Sequence, residues 1–315
     1  MKVLITGAAG FVGRSLCEVV SARGHQMVPV VRRSAGMSGE VIIPEIDGQS
    51  EWMEVLSGCN AVIHLAARVH VMNEEFPNPL EEFRKVNVRG TLALARQAAQ
   101  VGVRRFVFIS SIKVNGERST PDRPFRESDE PAPEDAYGQS KLEAEQGLMA
   151  LAHETGIEVV IIRPPLVYGP RVKGNFASMA RWLRRGIPLP LGAVCNLRSL
   201  LALDNLTDFI ALCADPERSP RAANEVFLLS DGEDVSTVEL LRKVAKAYGV
   251  RPRLIPVPRR LMRVVACALG KSAVADRLLG SLVVDSSKAR ELLGWGPVVS
   301  MDQQLEKMAT HDSFV

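Results

Sequence analysis

Tyr137 and Lys141 stand four residues apart in the run Tyr137-Gly138-Gln139-Ser140-Lys141. In a helix that spacing sets both side chains on one face. A phenol with a pKa near ~10 is a poor base at neutral pH. A neighbouring ammonium stabilises the phenolate, and the protonated phenol can pass its proton to a carbonyl oxygen. Upstream, Ser110 and Ser111 close the apolar run Phe106-Val107-Phe108-Ile109. A hydroxyl there could hold a reacting oxygen while Tyr137 exchanges its proton. Surface Tyr–Lys pairs are common, so the chemistry depends on whether the fold brings the serine to them.

The elements that would do so alternate. Residues 2–6, 26–31, 61–66, 105–110 and 158–163 are short β-branched runs, while 12–23, 79–101 and 136–155 carry apolar residues at helical period. Such alternation implies right-handed strand–helix–strand units and an α/β, doubly wound parallel sheet covered on both faces. Ligands of such sheets bind outside the carboxyl ends of the strands, where Ser110 and Ser111 fall.

The second half is richer in Pro and Gly. Helices are expected at 237–248, 258–269 and 287–293, with strands only at 226–230 and 254–257. We therefore expect a first domain over 1–168 and a smaller α/β substrate lobe over 169–315, with a segment near 199–228 able to return to the first. Residues 115–135 are polar and Pro-rich, too long for a plain connector, and form a candidate active-site loop.

Composition narrows the class. The chain has 315 residues, room for about two domains of ~150. It is 46% hydrophobic and 24% charged, which excludes a disordered or fibrous chain. Thirty-nine Lys+Arg against thirty-six Asp+Glu leave a net charge of +3, so no nucleic-acid partner is expected. No run of eighteen apolar residues suggests a membrane span. The apolar start is broken by Gly7, Gly10 and Gly13 and followed by Arg14, unlike a signal peptide, so a cytoplasmic location is expected. Cys17, Cys59, Cys195, Cys213 and Cys267 are scattered, which reads as reduced, mostly buried thiols and no metal site.

Gly7-Ala8-Ala9-Gly10-Phe11-Val12-Gly13 follows the first strand and opens the first helix. Glycines here let the backbone turn tightly and approach a pyrophosphate at a helix N-terminus. After the second strand stand Arg32 and Arg33, where an acidic residue would bond the ribose hydroxyls of NAD. Cations there favour the extra phosphate of NADP(H); solvated arginines, with NAD(H) as cofactor, are the other reading.

A GxxGxxG turn followed in order by Ser111, Tyr137 and Lys141 resembles the extended branch of the short-chain dehydrogenase/reductase superfamily, and the likeness runs along nearly the whole chain. Asp129-Glu130-Pro131, Arg163-Pro164-Pro165-Leu166-Val167-Tyr168-Gly169-Pro170 and the stretch 285–295 look like further signatures of that branch. The resemblance implies a Rossmann-type fold and a catalytic trio of Ser111, Tyr137 and Lys141. It implies cofactor contacts from the glycine turn, Asp47, the turn Leu65-Ala66-Ala67 after His64, Asn87, Ser110, Pro164 and Val167. His64 itself reads as structural. Members act mainly on nucleotide-diphosphate sugars, so Asn175, Phe176 and Arg198 become candidates for the diphosphate, and Leu191 for the edge of the nucleobase. Lys113 sits next but one to Ser111 and is a candidate substrate contact. A homodimer through 79–101 and 136–155 is also implied.

Departures from the pattern bear on the reaction. Dehydratases of the branch carry Asp-Glu directly after the hydroxyl residue, whereas this chain has Ile112 and Lys113, so elimination of water lacks its acid/base pair. The run Ser110–Glu117, with Lys173-Gly174-Asn175-Phe176 and Asn196-Leu197-Arg198-Ser199, resembles bacterial 4-ketoreductases that form UDP-N-acetylquinovosamine for surface polysaccharides. The expected activity is reduction of the C4 ketone of a UDP-linked 4-keto-6-deoxy-N-acetylhexosamine. The alternative is a UDP-hexose 4-epimerase holding NAD tightly; a non-catalytic dinucleotide sensor is remote, because both Tyr137 and Lys141 are present.

Overall fold

The computed structural model describes residues 1–69, 78–268 and 278–313. Seven strands form one sheet in the order β3-β2-β1-β4-β5-β6-β9, every neighbouring pair parallel. They are β1 Lys2–Thr6, β2 Gln26–Val31, β3 Val41–Ile42, β4 Ala61–His64, β5 Arg105–Ile109, β6 Glu158–Arg163 and β9 Glu225–Leu228. Alternate side chains feed opposite faces: Val3 and Ile5 join a core with Leu16, Val107, Phe209 and Phe227, while Leu4 joins one with Val62, Phe106, Leu94 and Leu148. Burial on both faces explains why these strands read as continuous apolar runs. The strand order reverses between β1 and β4, and Thr6 pairs with His64, which pairs with Phe108. The carboxyl ends of β1, β4 and β5 therefore share one edge.

Helix α1, Phe11–Ala22, covers the first face with α7, Leu203–Cys213. The helix expected over 79–101 is divided into α3 Pro79–Arg84, a π-helical stretch Lys85–Gly90 and α4 Thr91–Gln100. Apolar periodicity cannot show one wide turn inside an otherwise helical pattern. Gly90 allows it to pack, since a Cβ there would stand 2.8 Å from Ile46 Cγ2. Helix α5, Ala136–Thr155, starts at Asp135, whose side chain accepts from Gly138 N at 2.7 Å, and stops at Gly156 with φ of 77°.

A second, three-stranded sheet has the order β10-β8-β7, from β7 Leu166–Tyr168, β8 Arg198–Ala202 and β10 Asp234–Val235. Helices α6 Gly174–Arg184, α8 Thr237–Ala247 and α11 Met301–Ser313 enclose its core around Tyr168, Leu241 and Met308. Between these, α7 and β9 return to the large sheet, and α10, Ser287–Leu293, sets Ala289 in its core. The strand expected at 254–257 is only a bridge between Leu254 and Leu189, because Pro256 and Pro258 supply no ladder donor. The helix expected at 258–269 is α9, Arg259–Ala268; Leu269 lies outside the described residues. Cys17, Cys59 and Cys213 are buried and Cys195 and Cys267 exposed, in keeping with mostly buried thiols.

Candidate functional site

The glycine turn sits at the carboxyl end of β1 and opens α1, as its spacing implied. Gly7 has φ of +70°, and a Cβ on it would stand 3.0 Å from Ala66 N, so the turn lies directly against the one after β4. Gly13 is tighter: its Cβ would meet Gly7 O at 2.2 Å and Ala8 O at 2.7 Å. The α1 N-cap is Gly10, with no side-chain cap, and no acidic residue occupies the first turn, leaving the positive end of the helix for an anion. Phe11 and Val12 are half-buried in that turn, as are Leu65, Ala66 and Ala67 across from it. Ser110 Oγ, buried at the end of β5, has no hydrogen-bond partner among the described residues. An orphaned hydroxyl on the same sheet edge as a glycine-cradled helix start fits a dinucleotide.

Two further cofactor candidates lie nearby. Asp47 Oδ1 accepts from Gln49 N at 2.9 Å and from Ser50 Oγ at 3.2 Å; these bonds and Lys85 hold its carboxyl below the usual range. Arg32 and Arg33 are exposed after β2. Glu40 takes the backbone of that loop instead, accepting from Ala35 N and Met37 N at 3.0 Å each.

Tyr137 and Lys141 lie on the first turns of α5, beside the end of β5. Lys141 is buried, and its Nζ donates to Ile109 O at 2.8 Å while lying 4.3 Å from the centre of the Phe108 ring. Burial pulls its pKa down to about 7, with Glu145 opposing the shift. The Tyr137 ring packs edge-on against Phe83 at 6.1 Å. Burial pushes its phenol up to about 12, and Asp135 adds to the rise. The direction is opposite to the lowering expected from Lys141, because desolvation is the largest cause. Ser111 is half-buried at the start of the 3₁₀ turn Ile112–Val114, with its Oγ accepting from Lys113 N at 3.3 Å.

A buried chain of hydrogen bonds joins these elements. Ala66 N donates to Thr6 Oγ1, which lies 2.7 Å from His64 Nδ1; His64 Nε2 lies 3.0 Å from Thr91 Oγ1, which donates to Asn87 O at 2.7 Å. Because the Thr91 proton is committed to Asn87, the ring proton of His64 belongs on Nε2. Burial takes the His64 pKa down to about 3, so the ring is neutral and structural. Asn87 Nδ2 donates to Ser140 Oγ at 2.9 Å, and Ser140 Oγ donates to Tyr137 O at 2.8 Å. The π-helical stretch thus places Asn87 where it fixes the backbone of Tyr137. Thr6, Thr91, Ser140 and Asp135 were not singled out from the sequence. Only Asp135 carried a readable signal, as a helix-capping type immediately before the apolar pattern.

Residues expected at the substrate are spread more widely. Pro164 is buried and its O accepts from Ile112 N at 3.0 Å, while Val167 pairs with Leu201 in the small sheet. Phe176 stacks on Tyr168 at 5.6 Å within the lobe core, so its ring is withdrawn from any ligand and only its main chain remains for one. Its neighbour Asn175 is exposed. Arg198 is half-buried on β8 with Nη1 3.4 Å from Gly280 O. Leu191 packs beside Val194 and Met262. Lys113 pairs its ammonium with Asp135 and, at 3.3 Å, with Glu117. A surface cavity of about 660 Å³ lies at the β9 edge between Arg126 and Glu291 and contains none of Ser111, Tyr137 or Lys141.

The chain belongs to the NAD dependent epimerase/dehydratase family, whose pattern matches residues 3–224, and it is an enzyme of that class. It is 44% identical over 312 residues to a UDP-glucose 4-epimerase of Vibrio cholerae, covering 98% of this chain and 94% of the relative. Its fold matches that of the UDP-glucose 4-epimerase of Thermotoga maritima, solved with UDP-glucose, with a TM-score of 0.79 at 24% identity over 100% of this chain and 99% of that one. The UDP-N-acetylglucosamine 4-epimerase of Bacillus cereus matches with a TM-score of 0.80 at 20% identity, covering 98% of each chain.

Proposed function

We propose that this enzyme carries out redox chemistry at C4 of a UDP-linked hexose, acting as a 4-ketoreductase on a UDP-4-keto-6-deoxy-N-acetylhexosamine. When bound, the nicotinamide dinucleotide supplies hydride to the carbonyl carbon. The glycine turn Gly7–Gly13 and the start of α1 take its pyrophosphate, Asp47 its adenosine side, and Ser110 and the turn Leu65-Ala66-Ala67 the remainder, while Asn87, buried and bonded to Arg68 and Ser140, acts on the site only through the Tyr137 backbone. Ser111 bonds the ketone oxygen and polarises it. Tyr137 gives that oxygen its proton, and Lys141 makes the resulting phenolate less costly. Asn175 and Arg198 hold the diphosphate and Leu191 borders the base, with the guanidinium matching phosphate geometry.

The observation that carries C4 redox chemistry is geometric: Lys141, on the same face of α5 as Tyr137, ties its Nζ to Ile109 O at 2.8 Å, at the end of β5 next to Ser110 and Ser111. Arg32 and Arg33, exposed after β2, support an exchangeable NADP(H). The Vibrio cholerae relative favours a second reading, C4 epimerisation with retained NAD, which uses the same three residues. We also propose a homodimer formed through the helical stretch 79–101 and α5, measurable as the mass in solution by light scattering.

Mixing the enzyme with NADPH and the UDP-4-keto sugar separates the two readings. Stoichiometric loss of the reduced-nicotinamide absorbance supports the reductase. Absence of oxidation with NADPH or NADH, together with interconversion of UDP-N-acetylglucosamine and its C4 epimer without added cofactor, supports the epimerase instead.

A further inference from the structure

We propose that Lys113 is a positioning residue: its ammonium, paired with Asp135, fastens the Ser111 turn to the first turn of α5 and cancels the carboxylate charge two residues before Tyr137. The inference rests on Tyr137 being the proton carrier of the proposed reaction.

The Asp135 carboxylate has two tasks at once. Oδ1 accepts from Gly138 N at 2.7 Å and caps α5, while Oδ2 takes the ammonium of Lys113. The main chain of Lys113 serves the other partner, because its N–H donates to Ser111 Oγ at 3.3 Å. The two backbones meet at the same place. A Cβ on Gly138 would stand 2.9 Å from Lys113 O, so only a glycine lets α5 start this close to the turn. One residue therefore links the hydroxyl expected to hold the ketone oxygen to the helix carrying the phenol.

The charge arrangement supports the same role. Asp135 is the carboxylate that raises the Tyr137 pKa, and a cation on it reduces that field. Around the phenol, the turn after β5 contributes Lys113 and Glu117, and the segment before α3 contributes Arg68, near Glu82. Helix α3 contributes Arg84, paired with Glu143 of α5; β4 contributes the neutral His64. Helix α5 itself adds Lys141 and Glu145, the latter paired with Arg163 of β6. With side chains 29% and 20% exposed, Lys113 and Asp135 lie where a charge is only partly screened.

The test compares Lys113→Met, Asp135→Asn and the double variant, each with oxidised NAD bound. Asn retains the helix cap, so the second variant keeps its fold even if the first does not. Carbon-13 at the tyrosine ring gives three resonances, from Tyr137, Tyr168 and Tyr248. The latter two donate to Asp231 and Asp312, and the resonance lost in Tyr137→Phe assigns the signal of Tyr137.

Asp135→Asn should lower the Tyr137 titration by about one pH unit, Lys113→Met should raise it comparably, and the double variant should return near the parent. The pH profile of kcat should move likewise, with KM for the UDP-sugar little changed. Titrations that shift in an enzyme turning over no UDP-sugar would uphold this inference and reject the proposed reaction. A Lys113→Met enzyme with KM raised tenfold, an unmoved titration and no rescue by Asp135→Asn would make Lys113 a substrate contact and overturn the inference.

Discussion

Lys141 Nζ donates to the main-chain oxygen of Ile109 at 2.8 Å from a fully buried position, so the ammonium is tied to the end of β5 rather than to water. Burial lowers its pKa to about 7, well below that of an unfolded lysine. Between about 7 and the ordinary lysine value near ~10.4, the unfolded chain holds a proton that the folded protein has released, so this group makes stability rise with pH across that window. Below the window the full cost of a buried cation is present.

Lys141→Met removes that cost along with the bond to Ile109. The melting temperature of the variant relative to the parent should be most favourable below pH 7 and should decline as pH approaches ~10. Calorimetry at three pH values checks this, and a difference independent of pH would mean that Lys141 titrates as an ordinary lysine.

Arg163 and Glu145 form an ion pair of 2.6 Å with side chains 6% and 5% exposed, and Arg163 Nη1 also donates to Asn115 Oδ1 at 3.0 Å. Glu145→Ala leaves a buried guanidinium unpaired and should cost about 3–5 kcal/mol in denaturant unfolding. The double variant with Arg163→Met should recover much of that loss. Equal losses in the two would show that the pair contributes no more than its packing.

Gly13→Ala would drive a methyl group to 2.2 Å from Gly7 O, and the neighbouring atoms are all backbone. The turn must open, so dinucleotide affinity should drop beyond detection in calorimetric titration even where the variant folds. Retained affinity would place the pyrophosphate elsewhere.

Arg32→Ala with Arg33→Ala removes the exposed cations after β2. If they hold a ribose phosphate, NADPH affinity should fall roughly tenfold to hundredfold, the range for one or two hydrogen bonds to a charged group, while NADH affinity stays level. Equal losses for both dinucleotides would remove the case for NADP(H).

The large sheet was readable because its strands are buried on both faces and its glycine turn has a steric cause at Gly7 and Gly13. The positions of Tyr137 and Lys141 followed from helical spacing. What spacing could not show was the connection between them and the rest of the fold. The wide turn at Lys85–Gly90 depends on Gly90 meeting Ile46, a contact between residues forty-four positions apart. Phe176 looked like a ligand contact in a local motif, yet its ring completes a core with Tyr168. The neutral phenol of Tyr137 follows from its type, but the direction of its shift did not follow from Lys141, because burial and then Asp135 push it up.

The most direct test follows a label. NADPH carrying deuterium at both hydrogens of nicotinamide C4 is supplied with the UDP-4-keto-6-deoxy-N-acetylhexosamine to the parent enzyme and to Tyr137→Phe. The parent should place one deuterium on C4 of the hexose, and the variant should do so about 10²–10⁴-fold more slowly with dinucleotide affinity intact. Deuterium absent from C4, or transfer undiminished without the phenol, would contradict the assignment.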